Sequence, residues 1–194
     1  MYGYTQPIFK LVISSINKQS KKMKKKFLNV LSVLMVGIML LSCNSDGETN
    51  CPANFSGALI TEEEPLVGEW VLSGVLSAKE IDLTDDDTDN PSKDIFVQYS
   101  DCEKDVVYIF KTDRSYTYEL GRNAEDCDYT IPSKGTWQLR TNNLSLVTSC
   151  QLYITALEFN EDETEFSYSN VYNITEVDGS IVQTNIEFTY ALVP

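Results

Sequence analysis

The sequence predicts an all-β protein, an antiparallel up-and-down barrel or near-barrel of about eight strands. From Leu66 onward apolar residues recur at every second position, the period of strands with one buried face. Short polar links with turn-forming residues separate these segments, and no amphipathic helix follows residue 42. A sheet of so many strands exposes its edges unless it closes, and an up-and-down barrel removes them. A two-sheet sandwich fits the same alternation.

Taken in order, Trp70, Leu72 and Leu76 fall on one face of the first strand. Val106, Tyr108 and Phe110 share a face of the second, and Tyr116, Tyr118 and Leu120 a face of the third. Residues 112–115 are short enough to join those two as a hairpin. Trp137 and Leu139 alternate with Thr136, Gln138 and Arg140, and Leu144 and Leu146 follow after Asn142-Asn143, a turn signal. Segments 150–159, 164–174 and 181–192 complete the series. In the last, Val182, Ile186, Phe188, Tyr190 and Leu192 line one side, opposite Gln183, Asn185, Glu187 and Thr189. Asp178-Gly179 is a strong hairpin signal between the final two strands.

Aromatic residues dominate the inward positions, with Trp70, Phe166 and Tyr168 joining those of the middle and last strands. Eight strands enclose a space that side chains can fill or that can hold one small ligand. Tyr108, Phe110, Tyr116, Tyr118, Trp137, Phe188 and Tyr190 are therefore core residues and also the candidate ligand-binding residues. Buried tyrosine hydroxyls need partners, so at least one end of the barrel is expected to be lined by tyrosines.

The region before the strands has a different character. Met23 and Lys24 to Lys26 precede an apolar run over residues 27–41, the pattern of a secretory signal peptide. The run is shorter than the roughly 20 residues that span a bilayer, and Asn29, Ser32 and Gly37 interrupt it. Residues 1–22 read as an over-extended start, with Met23 the first residue translated. Leu40-Leu41-Ser42-Cys43 resembles a bacterial lipobox. The resemblance implies a diacylglycerol on the Cys43 sulfur, cleavage before it and acylation of the new amino terminus with a palmitate-type chain. Several acyl chains anchor far more firmly than one, at about 0.8 kcal/mol per buried methylene. The expected organisation is a signal peptide over 1–42, a lipidated tether over 43–65 and a barrel domain over 66–194. Some order is expected in the tether near residues 55–60.

All 29 acidic residues follow Cys43, whereas seven of the 15 basic residues precede it. From Cys43 on, the chain carries 8 basic and 29 acidic groups, a net charge of −21. That balance excludes nucleic acid and an anionic membrane surface as partners, because phosphate contacts need Lys and Arg. The remaining 152 residues suit one domain with a sizeable core. Asp46 and Glu48 after the anchor resemble the acidic tether that sends some Gram-negative lipoproteins to the cell surface. The expected location is the cell envelope, on the outer membrane, with surface exposure.

Cys51, Cys102, Cys127 and Cys150 remain, an even number in an exported chain, which points to disulfides. Three connectivities are open. Cys102 and Cys127 flank a compact segment and are paired, leaving Cys51 with Cys150 by elimination.

The sequence contains no histidine, so neither a Ser-His-Asp nor a Cys-His arrangement can form. It also lacks a nucleophile elbow, a phosphate-cradling glycine loop and a dinucleotide fingerprint. No catalytic residue and no cofactor is assigned, and the chain is not read as an enzyme. Asp85, Asp87 and Asp89 match the first ligands of an EF-hand loop, but Asn90 replaces its glycine, Pro91 follows and Phe96 replaces its closing glutamate. No metal site is assigned, and the stretch reads as a solvated acidic loop.

Leu66-Val67-Gly68-Glu69-Trp70 resembles the Gly-x-Trp opening of lipocalins and of the lipocalin-like domains of bacterial lipoproteins. The run from Cys102 through Asp105, Tyr108, Phe110, Asp113 and Tyr116, then Cys127 and Gly135-Thr136-Trp137-x-Leu139, resembles the middle of that family. Arg114 stands where the family often has glycine, and the Thr-Asp-Tyr motif of true lipocalins is absent. The resemblance covers about residues 66–193 and implies a small apolar molecule as cargo. The functional expectation is a lipid-anchored binding module for such a ligand. The alternative is a surface or periplasmic accessory protein whose barrel is filled.

Overall fold

The computed structural model describes residues 50–127 and 132–194. The leader, Cys43 and the acidic residues just after it lie outside the described residues. Ten antiparallel strands form one sheet, ordered β7-β6-β5-β4-β3-β1-β10-β9-β8, with β2 added on β1. The strands are β1 (Gly68–Ile81), β2 (Ser92–Asp94), β3 (Val106–Phe110), β4 (Ser115–Leu120), β5 (Ser133–Arg140), β6 (Asn143–Thr148), β7 (Gln151–Ala156), β8 (Glu158–Phe159), β9 (Glu165–Thr175) and β10 (Ile181–Leu192). Eight are long, and β2 and β8 are short additions. The first long strand pairs with the last, β1 with β10, so the meander curls into a nearly closed barrel. Its two outermost strands, β7 and β8, follow each other in the chain but do not pair.

Hairpin chemistry sets the register. Two-residue turns with positive φ at both positions, Thr141–Asn142 and Ser149–Cys150, join β5 to β6 and β6 to β7. This turn's twist matches that of the strands it joins. The first turn thus lies one residue earlier than the Asn142-Asn143 signal suggests. Gly179, at φ 88°, turns β9 into β10 as expected.

The face assignments hold on β3 to β6, β9 and β10, where Tyr108, Phe110, Tyr116, Tyr118, Leu120, Trp137, Leu139, Leu144, Leu146, Phe166, Ile186, Phe188 and Tyr190 are buried. On β1 they hold only at first. Trp70 and Leu72 point inward, but Leu76 is 49% exposed and Val75 is buried in its place. A bulge between Leu72 and Gly74 adds one residue opposite Thr189 and inverts the phase. Alternation alone cannot reveal an inserted residue, because a one-residue slip exchanges the faces.

Three short helical pieces were not anticipated. A 3-10 turn, Thr61–Leu66, crosses the end of the barrel where β1 begins. A second, Phe96–Gln98, and the one-turn helix α1 (Asp101–Lys104) lie between β2 and β3. Ser100 and Glu103 cap α1 reciprocally: the Ser100 amide donates to Glu103 Oε2 at 2.9 Å, and the Glu103 amide donates to Ser100 Oγ at 3.4 Å. Gln98 fastens this excursion to the end of β1, donating to the Ile81 carbonyl at 2.8 Å and accepting from the Leu83 amide at 2.6 Å.

Both disulfides are Cys51–Cys150 and Cys102–Cys127, with Cα separations of 4.7 and 5.7 Å. The first holds the incoming chain at the β6–β7 turn. From there it runs along the barrel, where the Phe55 amide donates to Thr136 Oγ1 at 3.0 Å, to reach the opposite end. The second ties α1 to the loop after β4. That loop is also held by Asp105, whose carboxylate accepts from the Asn123 and Ala124 amides.

Gly135 faces inward on β5 opposite Tyr116. A Cβ there would lie 2.0 Å from the Val147 carbonyl oxygen and 2.9 Å from the Tyr116 ring. The first neighbour is backbone and cannot yield without disturbing the β5–β6 ladder. Gly135→Ala is therefore expected to cost about 3 kcal/mol, the upper range for overpacking. Urea unfolding checks this through a lowered midpoint at unchanged slope.

Candidate functional site

The barrel interior gathers every candidate residue named from the sequence. Tyr108, Phe110, Tyr116, Tyr118, Trp137, Phe188 and Tyr190 are all at most 4% exposed. They form a continuous aromatic column. Trp137 meets Phe110 edge-on at 5.5 Å between centroids, and Phe110 stacks on Tyr108 at the same separation. Tyr108 meets Tyr118 at 4.8 Å and Tyr190 at 5.3 Å. Beyond them Tyr168 stacks on Phe188, which meets Tyr172 edge-on. These separations fall in the range where offset and edge-to-face ring pairs attract beyond simple burial.

Burial pushes the hydroxyls of Tyr108, Tyr168 and Tyr190 well above the ordinary tyrosine range, and the neighbouring tyrosines add to it. They stay protonated and act only as neutral hydrogen-bonding groups. The Tyr168 and Tyr190 rings stack on each other at 6.1 Å between centroids. Among the described residues, the buried Tyr116 hydroxyl has no partner within good hydrogen-bond geometry, with the Thr148 and Ser133 hydroxyls its nearest polar neighbours. The tyrosines thus cluster in the body of the barrel, with Tyr99 of the β2–β3 excursion and Tyr172 continuing the group toward one end.

Space decides what this wall can hold. A void walled by Tyr108, Leu144, Leu146, Thr155, Leu157, Phe166 and Tyr168 measures about 10 Å³. That is room for a single water at most.

The most concentrated polar chemistry lies at the closed end, on residues the sequence did not single out for it. Glu63, from the stretch read as tether, is fully buried. Its carboxylate accepts from Arg114 Nη1 and Nη2, both at 2.7 Å, and forms an ion pair with Arg140 Nη1 at 2.8 Å. The Ile60 and Leu139 amides complete the set at 2.8 and 3.3 Å. Arg114 is equally occupied, donating from Nε to the Gly57 carbonyl at 3.1 Å and from Nη2 to the Ala58 carbonyl at 2.9 Å. The group is structural: both charges are consumed by each other and by backbone. Burial alone would raise the Glu63 carboxyl, but hydrogen bonds from Arg114 and two amides, with the Arg114 charge, hold it down to about 2.

Arg114 occupies the last loop position of the β3–β4 hairpin at φ 66°, where glycine is ordinarily at ease. A non-glycine residue there costs about 1–2 kcal/mol. The buried pair offsets that cost, since no glycine could reach Glu63.

The acidic loop forms a surface cleft with Glu80, Asp82, Glu176 and Asp178. Asp82 accepts from the Thr84 and Asn90 amides at 3.1 and 3.3 Å. Among the described residues, no group of three or more Asp, Glu or Cys is placed to hold a metal ion.

A family model described as a domain of unknown function, DUF5004, matches residues 44–193. No curated protein and no solved structure matches the chain.

Two tests follow from the Glu63 pair. Because its folded pKa of about 2 lies below the ordinary 4.5, Glu63 contributes its full stability above about pH 5. As pH falls from 4.5 toward 2, that contribution should drain away, by an amount on the order of 3 kcal/mol. Arg114→Gly should relieve about 1 kcal/mol of backbone strain yet lose a buried pair worth about 3–5 kcal/mol, for a net destabilisation of about 2–4 kcal/mol. Denaturant curves from pH 7 to pH 2.5 check both, and the variant should show a shallower acid dependence.

Proposed function

For this chain, which belongs to the DUF5004 family, we propose an exported, lipid-anchored accessory protein of the cell envelope that works through the outer surface of a filled barrel. The observation that carries this reading is the interior, where an unbroken aromatic column leaves a void of about 10 Å³. A ligand of even a few carbon atoms would have to displace stacked rings from a close-packed core. The lipocalin-like resemblance then describes the architecture rather than a cargo.

The anchor rests on Cys43 and the leader before it. The family match begins at residue 44, immediately after that cysteine. Two disulfides suit an oxidising compartment outside the cytoplasm. The acidic residues after Cys43 favour the outer membrane and its surface-exposed face. The net charge of −21 disfavours nucleic acid, and no catalytic residue or cofactor is assigned.

One observation favours the second reading, a binding module for a small apolar ligand. The interior void is lined by Leu144, Leu146, Leu157 and Phe166 together with Tyr108, Tyr168 and Thr155. An apolar wall with few polar groups is the chemistry of such a site, and widening there would need only local movement.

Two experiments test these readings. Cys43→Ser should move the protein from the detergent phase to the aqueous phase and leave an unprocessed precursor; unchanged partitioning and processing would sink the anchor. For the interior, a panel of fluorescent fatty-acid probes should show no saturable binding to the purified protein, and mass spectrometry should find no co-purifying small molecule. Micromolar binding that weakens in Tyr108→Ala or Tyr118→Ala with the fold intact would establish the cargo reading instead.

A further inference from the structure

Among the described residues β7 pairs with β6 and with no other strand. The facing side of β9 is covered by β8 only at Phe166 and Ser167. The barrel therefore carries a seam. The pair Thr148↔Gln151 closes the β6–β7 turn, so the alternation of an antiparallel ladder directs the backbone groups of Leu152, Ile154 and Ala156 to the unpaired side. The side chains of Leu152 and Ile154 are 43% and 61% exposed.

Natural sheets guard such edges with charged residues, proline or bulges. This one has none of them over Gln151–Ala156. The protection is missing on a larger scale too. In a chain where 23% of residues are charged, residues 143–157 contain no charged side chain, and neither do residues 166–175. About half of the acidic groups collect in loops at the two ends, at residues 82–89 and 176–178 and at 62–64 and 161–165.

We propose that β7 is a pairing edge that accepts β7 of a second copy of this chain, antiparallel, about a twofold axis. The edge selects an extended, uncharged segment with apolar residues on its outer face, and Gln151–Ala156 is itself such a segment. Antiparallel pairing of two identical strands gives each the same contacts, as a twofold interface requires. Charge supports the same partner. Two copies, each at −21 once the leader is removed, repel over most of their surfaces, and the neutral strip along β6, β7 and β9 is where they can approach.

The test is cross-linking of the full-length protein in its own membrane. Ile154→Cys and Leu152→Cys are compared with Val171→Cys, which lies on β9 and is 62% exposed. Under a copper–phenanthroline oxidant the two β7 variants should give a species of doubled mass on non-reducing gels, several-fold more abundant than from Val171→Cys. Ile154→Lys, in the otherwise unaltered protein, should halve the mass found by sedimentation in mild detergent while keeping the Cys51–Cys150 bond. Equal cross-linking at all three positions, or none, would overturn the proposal. Cross-links to proteins of other masses would instead assign the edge to a foreign partner, and loss of cross-linking when acyl-chain spin labels quench at Ile154 would assign it to lipid.

Discussion

One buried carboxylate organises the closed end of this barrel. Burying an ion costs several kcal/mol unless partners replace its water. Glu63 has five: two nitrogens of Arg114, one of Arg140, and the amides of Ile60 and Leu139. Those donors come from the incoming segment, the β3–β4 hairpin and β5. Satisfying a single charge therefore fixes three separate pieces of chain against one another. It also explains the turn over Thr61–Leu66, which delivers Glu63 to the barrel axis and lets the Trp70 indole donate to the Leu66 carbonyl at 2.9 Å. The Trp137 indole is anchored in the same layer, on the Lys111 carbonyl at 3.1 Å.

Above that layer the packing changes in kind. The interior is held by rings packed on rings, with tyrosine hydroxyls kept neutral by burial. The middle of the column is held most firmly, because Tyr108, Phe110 and Tyr190 each pack against three other rings. It leaves the outer surface as the variable part of the molecule. That surface is divided: acidic loops dominate both ends, and an uncharged strip runs along the seam where β7 and β9 fail to meet. A filled interior and an unguarded edge both direct interaction outward.

Much of this was legible in the sequence. The strands of β3, β4, β6 and β10 follow from alternation, because one face meets the core and the other meets water. The disulfide partners followed from a count of four and one compact segment. Other features were visible but unread. Ser100 and Glu103 have the spacing of a capping box, but no apolar periodicity accompanies it because α1 is a single turn. Arg114 was noticed as a departure from glycine, yet its partner lies 51 residues away in a stretch that looked like a tether. Local pattern carries no signal for a contact of that separation.

By itself, then, the sequence determined the long strands, their order of hairpins and the aromatic wall, since each rests on local periodicity or turn chemistry, and it narrowed the cysteine pairing to three connectivities by counting. Tertiary structure alone decided the bulge that turns Leu76 outward, the burial of Glu63 against Arg114 and Arg140, the small size of the void beside Tyr108 and Phe166, and the seam left between β7 and β9. The reason is physical. These features depend on how curled strands meet across the barrel, and that geometry arises only when residues far apart in the chain compete for the same space.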